Sequence, residues 1–208
     1  MKNENQDVPT AFFSDTIYVK CPKCDSLGIV KADLEHKNLA IPRVTNKQFH
    51  CTKCSYSIND NSTWYGFYIG KILQNCKHCG SNLGFKSKPT KTNVNTQKVI
   101  CNTCTNENEY EIFWEKYFHN KVIDPHFGMD LWIQTNIKSN ILWLYNLEHL
   151  AFLQNYVSSK LRDDSQRTKY SLITNLPQWI KDAKNRELIV KKLTKLRENF
   201  VIETKQNL

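Results

Sequence analysis

No apolar run in this sequence exceeds the five residues Ile141–Tyr145, far short of the ~20 that a helix needs to cross a bilayer. A transmembrane reading is excluded. The opening MKNENQDVPT lacks the apolar core of a secretory leader and is followed only by the short patch Ala11-Phe12-Phe13, so the thiols are expected in a reducing, cytoplasmic compartment. Glycine is scarce, at six residues, and builds no phosphate-cradling loop. Nor is there a nucleophile constellation or a histidine and carboxylate cluster that would hold a metal with an open position. Asp124, His126 and His149 could approach one another, but Asp124-Pro125 reads more simply as a turn. The expectation is that the protein is not an enzyme and takes no small-molecule substrate.

Cysteine is missing from the C-terminal half, and all eight residues of this type lie between Cys21 and Cys104. They form four knuckles of one spacing: CPKC (Cys21, Cys24), CTKC (Cys51, Cys54), CKHC (Cys76, Cys79) and CNTC (Cys101, Cys104). Two cysteines separated by two residues can aim both sulfurs at one cation across a tight turn, and two such turns complete the tetrahedral S₄ shell that Zn²⁺ favours. Disulfides are the alternative for an even cysteine count. Fourfold identical spacing without a leader argues against them.

Four knuckles can pair sequentially, interleaved or nested. Sequential pairing is favoured because Leu27 to Leu34 with Val44 to His50, and Ser81 to Lys86 with Thr96 to Ile100, each read as a returning hairpin. The expected cofactors are thus two structural zinc ions, with no open coordination position on either to activate water. Gly28 and Gly80 follow the first knuckle of each pair, where a left-handed backbone helps turn N–H groups toward sulfur.

Acidic residues are missing from 61 to 106, a stretch with six cations: Lys71, Lys77, Lys86, Lys88, Lys91 and Lys98. From residue 160 onward twelve Lys and Arg oppose six Asp and Glu, and Lys181, Lys184 and Arg186 gather near Trp179. The formal net charge is +9, from which two tetrathiolate zinc sites would take off roughly four charges. Lysines of this kind suit phosphate contacts on DNA or RNA, or merely keep an exposed edge soluble.

The fold class expected is α+β. Residues 1–16 read as a flexible tail, 17–62 as a first zinc ribbon, 63–116 as a linking strand and second ribbon, and 117–208 as a β-hairpin with a helical domain. Asn146 is a plausible N-cap for a helix to about Leu161, with Phe152 and Tyr156 opposite its main apolar face and so candidates for partner binding. Ile189, Leu193, Leu196 and Phe200 make a helical stripe near the C-terminus.

Together with DPHFGMDLW, LWLYNLEHL and LPQWIKDAKNR, the paired knuckles resemble a set of bacterial double zinc-ribbon proteins of uncharacterised function, over most of residues 17–200. The resemblance implies an architecture and brings no reaction with it. Two roles compete: a nucleic-acid-binding or nucleic-acid-associated accessory subunit, and a protein–protein adaptor within a larger complex.

Overall fold

The computed structural model describes residues 7–59, 62–118, 122–159 and 168–206. The strands run β1 (Thr16–Lys20), β2 (Leu27–Glu35), β3 (Arg43–Cys51), β4 (Ser57–Ile58), β5 (Phe67–Lys71), β6 (Thr96–Ile100), β7 (Glu107–Glu111), β8 (Phe113–Tyr117), β9 (Ile133–Ile137) and β10 (Asn140–Leu144). The α-helices among the described residues are α1 (Leu147–Ser158), α2 (Gln178–Lys181) and α3 (Arg186–Gln206). The chain divides into two compact units, one of Met1–Thr63 with Val122–Leu208 and one of Trp64–Lys121. The α+β class is as expected.

In the first unit β1, β2, β3 and β4 form an antiparallel sheet in that order. Side chains alternate across a strand, so Ile17 and Val19 of β1, Val30 and Ala32 of β2 and Phe49 of β3 are buried. Phe49 lies opposite Val30 and Ile58, and its ring passes close to Gly28, where an added Cβ would stand 2.4 Å from Cε2. Gly28 therefore provides room for an aromatic ring inside a strand, and its φ is not positive. The expected left-handed role at Gly28 is corrected.

The free side of β1 is taken up by the C-terminal segment. Tyr18 N–H donates to the Tyr145 carbonyl (2.8 Å), Trp132 N–H to the Tyr18 carbonyl (2.9 Å) and Lys20 N–H to the Asp130 carbonyl (2.8 Å). The hairpin expected around Lys138-Ser139 is β9 and β10, turning with Lys138 at φ 54°. Ile133, Ile137, Leu142 and Leu144 are its core residues, whereas Trp143 is only half-buried. Over this sheet α3 packs on α1 and β9, with Ile189, Leu193 and Phe200 buried and Leu196 half-buried.

Buried polar groups fix the chain entering this core. Asn146 Oδ1 accepts the His149 N–H at 2.8 Å and so caps α1, while its Nδ2 donates to the carbonyls of Phe13 (2.9 Å) and Thr16 (2.7 Å). Asp124 is wholly buried. Its carboxylate accepts three backbone N–H groups, from His126, Phe127 and Met129, and His126 Nε2 sits 2.7 Å from the Ser14 carbonyl oxygen. Residues 7–16, expected as part of a flexible tail, are thus in the core: Val8, Phe13 and Ser14 are buried. Phe13 stacks on His149 at 4.7 Å. Residues 1–6 of that tail, and Leu161 at the expected end of α1, lie outside the described residues.

The second unit holds two two-stranded pairs, β5 with β8 and β6 with β7. Here the sequence reading is corrected: Ser81 to Lys86 does not form a strand with β6. Gly84, at φ +59°, interrupts the segment, which makes only the isolated bridges Asn75–Asn82 and Lys71–Lys86. The strand β6 pairs instead with β7, across the CNTC knuckle, with Ile100 facing Glu107 and Lys98 facing Glu109.

Replacing Gly28 by Ala should destabilise the first unit by ~1–3 kcal/mol, as overpacking of a close-packed core does, because the buried Phe49 ring has no flexible end to swing away. Chemical denaturation of the metal-loaded protein checks this. An unchanged midpoint would show that the ring relaxes at no cost.

Candidate metal centres

Each CxxC is the turn of a hairpin. CPKC joins β1 to β2 with Lys20 paired to Leu27, CTKC joins β3 to β4, CNTC joins β6 to β7, and CKHC is closed by the Asn75–Asn82 bridge. One hydrogen-bond pattern recurs in all four. The N–H of the first cysteine donates to the carbonyl five residues on: Cys21 to Ser26, Cys51 to Tyr56 and Cys76 to Ser81 at 2.8 Å, and Cys101 to Asn106 at 3.0 Å. The residue directly after the second cysteine has positive φ at every knuckle: Asp25 (55°), Ser55 (58°), Gly80 (72°) and Thr105 (61°). Only one of the four is glycine, so composition concealed a conformational repeat. Position after the second cysteine is the signal that reveals it.

This reversal turns backbone N–H groups toward sulfur. Lys23, Lys53 and Thr103 each aim their N–H at the Sγ of the cysteine two residues before, at 3.4 Å. Such bonds favour the thiolate over the thiol. They act beside an opposing influence, since burial pushes Cys21 up to about 12. The Ser26 N–H and hydroxyl hold Cys24 down to about 6, and the N–H groups of Cys79 and His78 do the same for Cys76, also to about 6. Four thiolates packed together repel one another, and a cation at their centre is what allows all four to ionise.

The eight sulfurs gather into two groups, Cys21, Cys24, Cys51 and Cys54 in one and Cys76, Cys79, Cys101 and Cys104 in the other, with the ligand atoms of each within 4.8 Å of one another. Across the first, Cys21 and Cys54 Sγ are 3.7 Å apart and Cys24 and Cys51 Sγ 3.6 Å. The second repeats this, at 3.7 Å for Cys76 and Cys104 and 3.6 Å for Cys79 and Cys101. A regular tetrahedron with metal–sulfur bonds of ~2.3 Å has sulfur–sulfur edges of about 3.8 Å, whereas a disulfide needs ~2.05 Å. The donor set and its size fit two metal ions, each enclosed by four thiolates. Sequential grouping is the one observed.

Of the nine basic residues singled out in the sequence, six belong to the second unit and three to the first. Lys71 pairs with Glu115 across β5 and β8 at 2.5 Å. Lys77 donates to the Glu109 carbonyl at 2.7 Å and lies over the Tyr110 ring, while the Tyr110 hydroxyl accepts the Lys77 N–H at 3.1 Å. Lys86, Lys88, Lys91 and Lys98 are exposed, but Lys98 stands opposite Glu109 on a strand that also exposes Glu107 and Glu111. The acid-free stretch is therefore paired with an acidic one. Elsewhere Lys181 donates to the Thr174 carbonyl, Lys184 stands 3.9 Å from Asp182, and Arg186 is half-buried at the start of α3.

Phe152 and Tyr156 serve the interior of the first unit: Tyr156 is buried, and Phe152 packs on Phe13 with ring centroids 5.4 Å apart. His149, considered above as a possible reacting group, is fully enclosed. Burial pushes it down to about 3, and its Nδ1 accepts the Tyr145 N–H at 3.3 Å.

Comparison of the chain with protein-family models, with curated proteins and with solved structures found no match. What fold and site define is an α+β protein with two four-cysteine groups able to hold two metal ions. Among the described residues no helix is long and apolar enough to cross a membrane.

Elemental analysis should find two metal equivalents per chain, and Cys51→Ser should lower this to one by emptying the Cys21 group alone. A fall to zero, or retention of both, would contradict the grouping. Ligation needs thiolates, and a bound cation depresses their pKa below the unfolded value, so metal-linked stability is present at neutral pH and lost as pH falls. A chromogenic chelator should register release of both ions on acidification.

Proposed function

We propose that the chain is a non-catalytic zinc protein whose two ions are structural, in the manner of paired zinc ribbons, and that it works as an accessory subunit by docking to other macromolecules. The observation that carries this reading is closure of both shells: four cysteine sulfurs surround each centre, which leaves no position for water or substrate. Tetrahedral all-sulfur shells suit zinc or iron. Zinc is favoured because it fills the shell without redox chemistry, and a colourless protein with two zinc equivalents would bear it out.

The second unit is the docking surface in this reading, and its partner is a protein. Leu73, Val94, Ile100 and Phe113 are each more than half exposed there and offer apolar side chains to such a partner. A direct nucleic-acid role is the second reading, favoured by the exposed Lys86, Lys88 and Lys91 and opposed by the glutamates of β7.

Nuclease treatment during affinity isolation from the native cell separates the two. Partners that survive it support the adaptor, and partners that vanish support the nucleic-acid reading. In the second case, replacing Lys86, Lys88 and Lys91 together by Gln should flatten the slope of log K against log salt by up to about three contacts of ~0.9 each. Absence of any DNA or RNA binding at low salt would remove that reading.

A further inference from the structure

The two four-cysteine groups share a geometry but sit in very different surroundings. In the first unit most of the core is formed by residues other than the ligands. Ile17, Val30, Phe127, Leu144, Leu150 and Leu193 are fully buried and are contributed by β1, β2, the Asp124 turn, β10, α1 and α3. None is a ligand, and the buried hydrogen bonds of Asn146 and Asp124 lie outside the knuckles.

In the second unit the core is built around the metal site. Its buried cluster comprises Ile72, Cys76, Leu83, Cys101 and Tyr110, of which two are ligands, and Cys104 packs against it with the partly buried Phe85, Val99 and Ile112; Ile69 of β5 is also buried. Tyr110, the one large side chain, is tied by its hydroxyl to the Lys77 N–H inside a knuckle. The remaining members are two aliphatic side chains, each 7–8% exposed. A unit of roughly 60 residues is marginal even with a full apolar core, and small metal-centred domains unfold when the ion is withdrawn.

We infer that the second four-cysteine group is a metal-conditional fold, so that ion loading decides whether the Trp64–Lys121 unit is structured, whereas the first group reinforces a unit that stays folded without its ion. The surface of the second unit, including the exposed residues of β6 and β7, then exists only in the loaded protein, and metal supply switches it on and off. This rests on the reading of both groups as metal sites.

Hydrogen–deuterium exchange on the full-length protein tests it, comparing zinc-loaded protein with protein stripped by a strong chelator under reducing conditions. On stripping, amides of β5 to β8 should exchange at least ~100-fold faster, reaching the rates of open chain, while those of β9, β10, α1 and α3 stay within about threefold of their loaded rates. Cys101→Ser should reproduce the loss in the second unit alone, and Cys51→Ser should leave β5 to β8 protected. Retained protection in the stripped second unit overturns the inference, as does simultaneous loss across both units. Protein that takes up no metal before stripping overturns the metal-site reading and the inference together, a result distinguishable by elemental analysis of the starting sample.

Discussion

Everything in the two centres depends on one backbone reversal, the tight turn in which a CxxC pair ends on a residue of positive φ. That conformation lets the first cysteine close a hairpin through its own N–H while the intervening amides face its sulfur. Glycine enters it without strain, and Gly80 does so. Asp25, Ser55 and Thr105 occupy it at a cost of about 1–3 kcal/mol each, repaid only if something holds the turn shut. A shared cation bound by two such turns supplies that restraint, and so each pair of turns and its ion are interdependent.

Sequence legibility followed the range of the interaction. Cysteine spacing is local and reveals the four knuckles, whereas sequential grouping rested on two expected hairpins, of which only the one between Leu27 and His50 forms. The helix cap at Asn146 and the stripe of Ile189, Leu193 and Phe200 are local too, and both appear where the pattern placed them. Errors arose where partners lie far apart in sequence or where one residue type had stood for a conformation. Lys98 looked unopposed because Glu109 is brought opposite it only by strand pairing. Ser81 to Lys86 looked like a strand because alternation was weighed without the interruption at Gly84. The assignment of Gly28 failed because a glycine can be present for space as well as for φ, and Phe49, which claims that space, is twenty-one positions away.

The polar interior of the first unit is a second organising feature. Asn146 meets three backbone groups from three parts of the chain, and Asp124 meets three N–H groups of its own turn. Burial raises the pKa of Asp124 while those N–H groups and the neighbouring His126 oppose the rise. Groups that would be costly in a core if left unpaired here fix how the N-terminal segment, β1 and α1 meet. His126, His149 and the Asp124 carboxylate thereby have structural duties.

The bonding of Asp130, Trp132 and Tyr145 to β1 bears on how the molecule meets its neighbours in a crowded solution. A sheet's outermost strand offers unpaired amides and carbonyls on which a foreign strand can grow, and natural sheets shorten or cover it. Both devices are present in the first unit. One margin of its four-stranded sheet is roofed by the segment Asp130 to Trp132 and the Tyr145 carbonyl, and the other ends in β4, only two residues long. The β1 margin therefore offers no template to a foreign strand, whereas β4 pairs only with Phe49 and His50 of β3, so protection against strand-by-strand accretion is built at one margin of the sheet.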